Sequence, residues 1–136
     1  MKTTSNSLAL KNGTLVIALC WTLLIAILCL FRFNNLPSIA VTGADKYVHF
    51  TFHLIFTFLW GKYFWLRLNG QSIYTILIVG LVSIVYGILL EILQELLTTT
   101  RHADIMDIAA NFTGALVAFL LFFVSKRSAF INFKLF

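Results

Sequence analysis

Two short stretches hold most of the residues able to do acid–base or ligand chemistry. The first is Asp45-Lys46-Tyr47-Val48-His49, with His53 four residues further on; the second runs from Glu91 through Gln94, Glu95, Arg101, Asp104 and Asp107 to Asn111. All five carboxylates of the 136-residue chain fall inside them. His49 with Glu91 or Asp107 makes an imidazole–carboxylate pairing suited to moving a proton. Lys46 and Arg101 are suited to holding a phosphate or carboxylate. His49 and His53, at i and i+4, put two imidazoles on one helix face, and Glu91, Glu95 or Asp107 would add oxygen ligands to a metal set. His49, Glu91 and Asp107 are therefore the candidate catalytic residues. Asp45, Lys46, Gln94, Arg101, Asp104 and Asn111 are the candidate ligand-binding residues. His49, His53, Glu91 and Glu95 are the weaker metal candidates; no metal is assigned, and the residues do not name a cofactor.

The elements that must position these residues are helices in a bilayer. The chain is 60% hydrophobic and 11% charged, and it contains uncharged runs of membrane-span length. The length fits one domain. The expected fold is all-α, an integral membrane bundle of four transmembrane helices. Residues 1–13 form a polar N-terminal segment, 14–124 the four-helix domain, and 125–136 a basic and aromatic tail along the membrane surface. The expected helices are Thr14 to Phe31, Lys46 to Leu66, Ser72 to Leu97 and Asp104 to Val124. Breakers lie between them at Asn34, Pro37, Gly43, Asn69 and Gly70. The second helix is the weakest span, because its uncharged run from Tyr47 to Gly61 is short unless its polar ends are included.

Several alternatives are set aside by particular residues. The first apolar run ends in Leu30-Phe31-Arg32-Phe33 with no small-residue cleavage site, so it reads as an uncleaved span, not a signal peptide. The basic residues are spread over helix ends and tails instead of forming one stripe, which argues against a nucleic-acid partner. Cys20 and Cys29 lie about 13 Å apart along a helix, too far to bridge one another. Packing is the expected role of both.

Orientation follows from the basic residues. Four spans put Lys2, Lys11, Lys62, Arg67, Lys126, Arg127 and Lys134 on one side, against Arg32, Lys46 and Arg101 on the other. The richer side is cytoplasmic by the positive-inside bias, and with it both termini. Every carboxylate then falls at the outer end of a helix. At ~1.5 Å per residue, Glu91, His49 and Asp107 all lie about 26–28 Å above the cytoplasmic ends of their helices. The spacing continues each polar stripe into small residues: Gly87, Ser83 and Gly80 below Glu91, and Gly114 and Ala118 below Asp107 and Asn111. Small residues let helix backbones approach closely in lipid, so the charges are expected to face the bundle interior. Plainer roles compete with function at several positions. Asp45 and Asp104 stand where helix N-caps stand. Arg101 can pair with Asp104 or Glu95, and His53 can be a hydrogen-bonded packing residue. A deep Glu91 in the C-terminal half of a helix has no such account, because the helix dipole disfavours it there.

The combination Asp45-Lys46-x-x-His49-Phe50, Glu91-x-x-Gln94 and Arg101-x-x-Asp104-x-x-Asp107-x-x-x-Asn111-x-x-Gly114 resembles the VanZ-like family of small bacterial membrane proteins. The resemblance covers about Asp45 to Val124. The family is named for a protein associated with low-level resistance to teicoplanin, a glycopeptide acting on the cell wall. The resemblance thus implies a multi-pass protein of the bacterial plasma membrane, and it supplies no mechanism.

Three readings follow. The first is a pocket binding or acting on an envelope amphiphile with a lipid-linked or cell-wall-type headgroup. The second is a metal-dependent membrane hydrolase using His49, His53 and carboxylates. The third is a non-catalytic bundle whose ion pairs hold the helices, or a homo-oligomer, together. The partners these readings bring are the bilayer, a lipid-linked or cell-wall precursor, and a second copy of the chain.

Overall fold

The computed structural model describes residues 2–30, 43–69, 72–97 and 103–134, with side chains from 8 to 125 within those ranges. Four helices follow one another: α1 (Lys2–Leu30), α2 (Ala44–Arg67), α3 (Ile73–Leu97) and α4 (Ile105–Lys134). Their interiors contain no proline, the chain's single one being Pro37, so nothing interrupts the backbone ladder. Two helices are longer than the sequence reading. The backbone of 2–13 is continuous with the first span, and that of 125–134 continues α4.

The helix ends are set by local chemistry. Asp104 caps α4: its Oδ1 accepts the Met106 N–H at 2.8 Å, and its carbonyl accepts from Asp107 and Ile108 at 3.0 and 3.3 Å. Asp45 does not cap α2, contrary to expectation. Gly43 takes the position, in a left-handed conformation (φ 84°) that glycine adopts freely, and its carbonyl accepts the Lys46 N–H at 3.1 Å. Asp45 lies one residue inside the helix, where it still complements the dipole. At the other end of α2, Asn69 turns the chain with φ 52°, in the left-handed region asparagine tolerates.

Helix α2 is the centre of the bundle. It packs on α1, α3 and α4, most extensively on α4, whereas α1 and α4 do not meet among the described residues. The α2–α4 contact is a backbone approach at Gly114. A Cβ there would overlap the Phe50 carbonyl oxygen and lie 3.0 Å from the Leu54 nitrogen. On the opposite side, α1 is fastened by donors reaching its neighbours' acceptors or its own. Trp21 Nε1 donates to the Phe52 carbonyl at 3.1 Å, Trp60 Nε1 to Thr22 Oγ1 at 3.0 Å, and Tyr86 Oη to the Thr22 carbonyl at 2.7 Å. Ile25, Cys29, Phe56 and Leu90 form the apolar core beneath these bonds. Cys29 is buried and Cys20 exposed.

Three helical segments are long and apolar enough to cross a membrane: Leu8–Leu30, Ile73–Leu97 and Ile105–Ser125. Their outward faces carry exposed Leu, Ile, Val and Phe, including Leu23, Ile78, Val85, Phe112 and Leu120. This is a helical, multi-pass membrane protein. Helix α2 falls outside the apolar set because Asp45, Lys46, His49, His53, Lys62 and Arg67 lie on it. Its buried residues are His49, His53, Phe56, Thr57 and Gly61, so much of its polarity points into the bundle, where neighbouring helices replace lipid.

Candidate functional site

His49, Glu91 and Asp107 come from three different helices and meet at one end of the bundle. All three are buried, and one ligand atom of each lies within 4.8 Å of the others. His49 Nε2 stands 3.5 Å from Glu91 Oε1 and 3.9 Å from Asp107 Oδ2. On the opposite edge of the ring, Nδ1 lies 3.1 Å from Asn111 Oδ1. With the amide oxygen toward the ring, Nδ1 carries the proton and donates. The Nε2 lone pair, or a proton replacing it, then faces the two carboxylates. Asn111 sits one turn below Asp107, and its Nδ2 is buried with no hydrogen-bond partner among the described residues. That nitrogen presses against the space left by Gly87, where a Cβ would sit 2.5 Å from it and 2.9 Å from His53 Cε1. Gly87 is therefore required by side chains of the site more than by a neighbouring backbone.

Lys46 closes the rim. Its ammonium reaches Asp104 Oδ2 at 2.8 Å, Asp45 Oδ2 at 3.2 Å and Asp107 Oδ1 at 3.3 Å. An ammonium has three donors, and these contacts use all of them. Lys46 thus braces the acids. Its hydrogen bond holds the Asp104 carboxyl below the usual carboxylate range, helped by the Met106 N–H. Asp107 joins rim to interior, one oxygen on Lys46 and the other facing His49. Glu91 is also approached by the Asp104 N–H, at 3.5 Å from Oε2. Four carboxylates (Asp45, Glu91, Asp104 and Asp107) thus gather around one ammonium and one imidazole.

The other expected residues separate from this group. His53 is buried a turn deeper, its Nδ1 2.9 Å from Ser83 Oγ. Gln94 turns away to donate to the Cys29 carbonyl at 2.9 Å, linking α3 to α1. Glu95 is exposed, and Arg101 lies outside the described residues. Of the residues considered for a metal set, the geometry retains His49 and Glu91 and joins them to Asp107, while His53 and Glu95 stand apart. Thr57 was not anticipated. It is fully buried on α2, its Oγ1 has no hydrogen-bond partner among the described residues, and its only signal was the next i+4 step after His49 and His53.

Below the polar group an apolar groove of about 370 Å³ lies between α2 and α3, lined by Phe56, Trp60, Phe64, Val79, Val82 and Tyr86 with Thr22 of α1. A smaller one of about 150 Å³ lies between α3 and α4, around Gly80, Phe112 and Phe119. Comparison with family models, curated proteins and solved structures finds no match to this chain.

Proposed function

We propose that this is a VanZ-like protein of the bacterial plasma membrane, crossing it four times with both termini in the cytoplasm. Its pocket at the outer ends of α2, α3 and α4 takes the polar head of an envelope amphiphile, a lipid-linked or cell-wall-type precursor. The observation that carries this reading is the buried convergence of His49, Glu91 and Asp107 from three helices. Ionisable groups inside a membrane bundle are costly and mark functional sites by default. The apolar groove on α2 and α3, whose lining includes none of the polar group, is the candidate seat for the chain of such a ligand. Altered susceptibility to a teicoplanin-type glycopeptide is the phenotype that the family resemblance would bring with it.

A purely structural network is the competing account, and Glu91→Gln separates the two. The substitution keeps shape and most hydrogen-bonding capacity while removing the charge. If the carboxylate only balances a buried cation, its loss costs about 3–5 kcal/mol and folded protein falls. In the pocket reading, Glu91→Gln and His49→Asn keep near-normal thermal stability in detergent. They lose co-purifying lipid, detected by native mass spectrometry, and lose any envelope-stress phenotype of the parent. Retention of both, or a loss only in proportion to unfolded protein, would falsify the pocket.

A further inference from the structure

The pocket's own charge is the problem that an anionic head must solve. Among the described residues its rim and interior carry four carboxylates, and the one ammonium present has every donor engaged. An anion entering this field meets repulsion and no available donor from Lys46. Among the described residues no further cation stands between the acids and such a ligand.

We infer that His49 Nε2, Glu91 Oε1 and Asp107 Oδ2 bind one divalent first-row transition ion, zinc or manganese in type. In its use by a ligand this rests on the pocket reading, but in its binding it does not. Three observations support it independently. The donor set is one imidazole nitrogen and two carboxylate oxygens, a mixture suited to such ions. The spacing is compatible: four-coordinate zinc with bonds of ~2.1 Å holds its ligands about 3.4 Å apart, while His49 Nε2 lies 3.5 and 3.9 Å from the two oxygens and one ligand atom of each residue lies within 4.8 Å of the others. The third observation is Asn111. By accepting from Nδ1 it aims the Nε2 lone pair at the carboxylates, the supporting contact that metal-bound histidines usually have.

The rim fits this role too. Asp107 offers Oδ2 to the ion and keeps Oδ1 on Lys46, so its carboxylate is held from both sides. Three protein ligands leave positions on the ion open, and the phosphate or carboxylate of a bound head can fill them. The ion would thus add an anion-binding charge beside a Lys46 whose three donors face carboxylates.

The test uses the full chain purified in detergent, treated with a chelator, desalted and titrated with Zn²⁺ or Mn²⁺ alone. Elemental analysis should find one ion per chain, and binding should raise the thermal midpoint. His49→Gln and Asp107→Asn should abolish retention, Asn111→Ala should weaken it about 10–100-fold, and Glu95→Gln, outside the cluster, should leave it unchanged. Because Asp107→Asn also removes a charge paired with Lys46, the wild type loaded with Co²⁺ gives a second reading. A low-coordinate nitrogen–oxygen site has intense visible d–d absorption, whereas hydrated Co²⁺ is nearly colourless. No retained ion in the wild type overturns the inference, as does an ion that survives both ligand substitutions. Lipid binding is measured separately, so a protein that holds a head but no ion loses this site and keeps the pocket.

Discussion

At the scale of single residues, Asp104 carries two jobs that a titration can separate. Its Oδ1 caps α4 through the Met106 N–H, and its Oδ2 accepts from Lys46. The second contact is the main reason its carboxyl stays ionised below the ordinary value of 3.8. A carboxyl whose folded pKa is depressed adds stability that is fully present above its unfolded pKa. That stability is lost as pH falls through the lower, folded value. The thermal midpoint in detergent should therefore hold steady down to about pH 5 and fall as acid is added beyond pH ~4. Asp104→Asn keeps a good capping residue and removes only the charge. It should flatten that acid limb while leaving the helix start intact, and the effect will be small because the pair is partly open to water. An acid limb of unchanged steepness in Asp104→Asn would mean that other carboxyls govern it.

At the scale of elements, the polar stripes were legible because helical spacing and the cost of charge in lipid act together. Asp45, His49 and His53 recur every four residues, as do Ser83, Gly87 and Glu91, and counting rise along each helix puts His49, Glu91 and Asp107 at one level. Which partner each side chain takes was not legible. Gln94 bonds a carbonyl of α1, and Lys46 is saturated by acids from two helices, because those choices depend on rotation of the helices about their axes. The glycines show the same limit. Spacing made Gly80, Gly87 and Gly114 equivalent packing positions, but they meet open space, side chains and backbone respectively. Gly80→Ala should therefore be neutral or stabilising by up to about 1 kcal/mol through helix propensity. Gly114→Ala forces a methyl onto the Phe50 carbonyl oxygen, and overpacking of this kind costs about 1–3 kcal/mol or more. Unfolding of the two variants side by side in mixed micelles checks this. Equal stabilities would mean that α2 and α4 do not meet at Gly114.

At the scale of the whole molecule, the question is how many times the chain crosses the bilayer. Composition alone finds three spans, Leu8–Leu30, Ile73–Leu97 and Ile105–Ser125, and omits α2. Yet α2 has 24 residues, about 36 Å at ~1.5 Å each, enough to cross a core of ~30 Å. Like α3, it is in contact with all the other helices, and its packing on α4 is the most extensive in the bundle. A segment enclosed in this way is not solvated by lipid along its polar face, so its average hydropathy understates its fitness to cross. Its cytoplasmic end would carry Lys62 and Arg67 among Trp60, Tyr63 and Trp65, the pairing of snorkelling cations and interfacial aromatics that anchors a span. Crossing by α2 places Asn69 on the same side as both termini, with the seven basic residues of that side facing the cytoplasm. If α2 stays on the outer surface or re-enters, Asn69 lies outside and the C-terminus moves to the other face relative to α1. Compartment-sensitive reporters fused after Asn69 and after Phe136 distinguish the two arrangements. Both should read cytoplasmic. An external signal after Asn69 would remove α2 from the membrane-crossing set, and with it the common outer level at which His49, Glu91 and Asp107 are argued to meet a ligand.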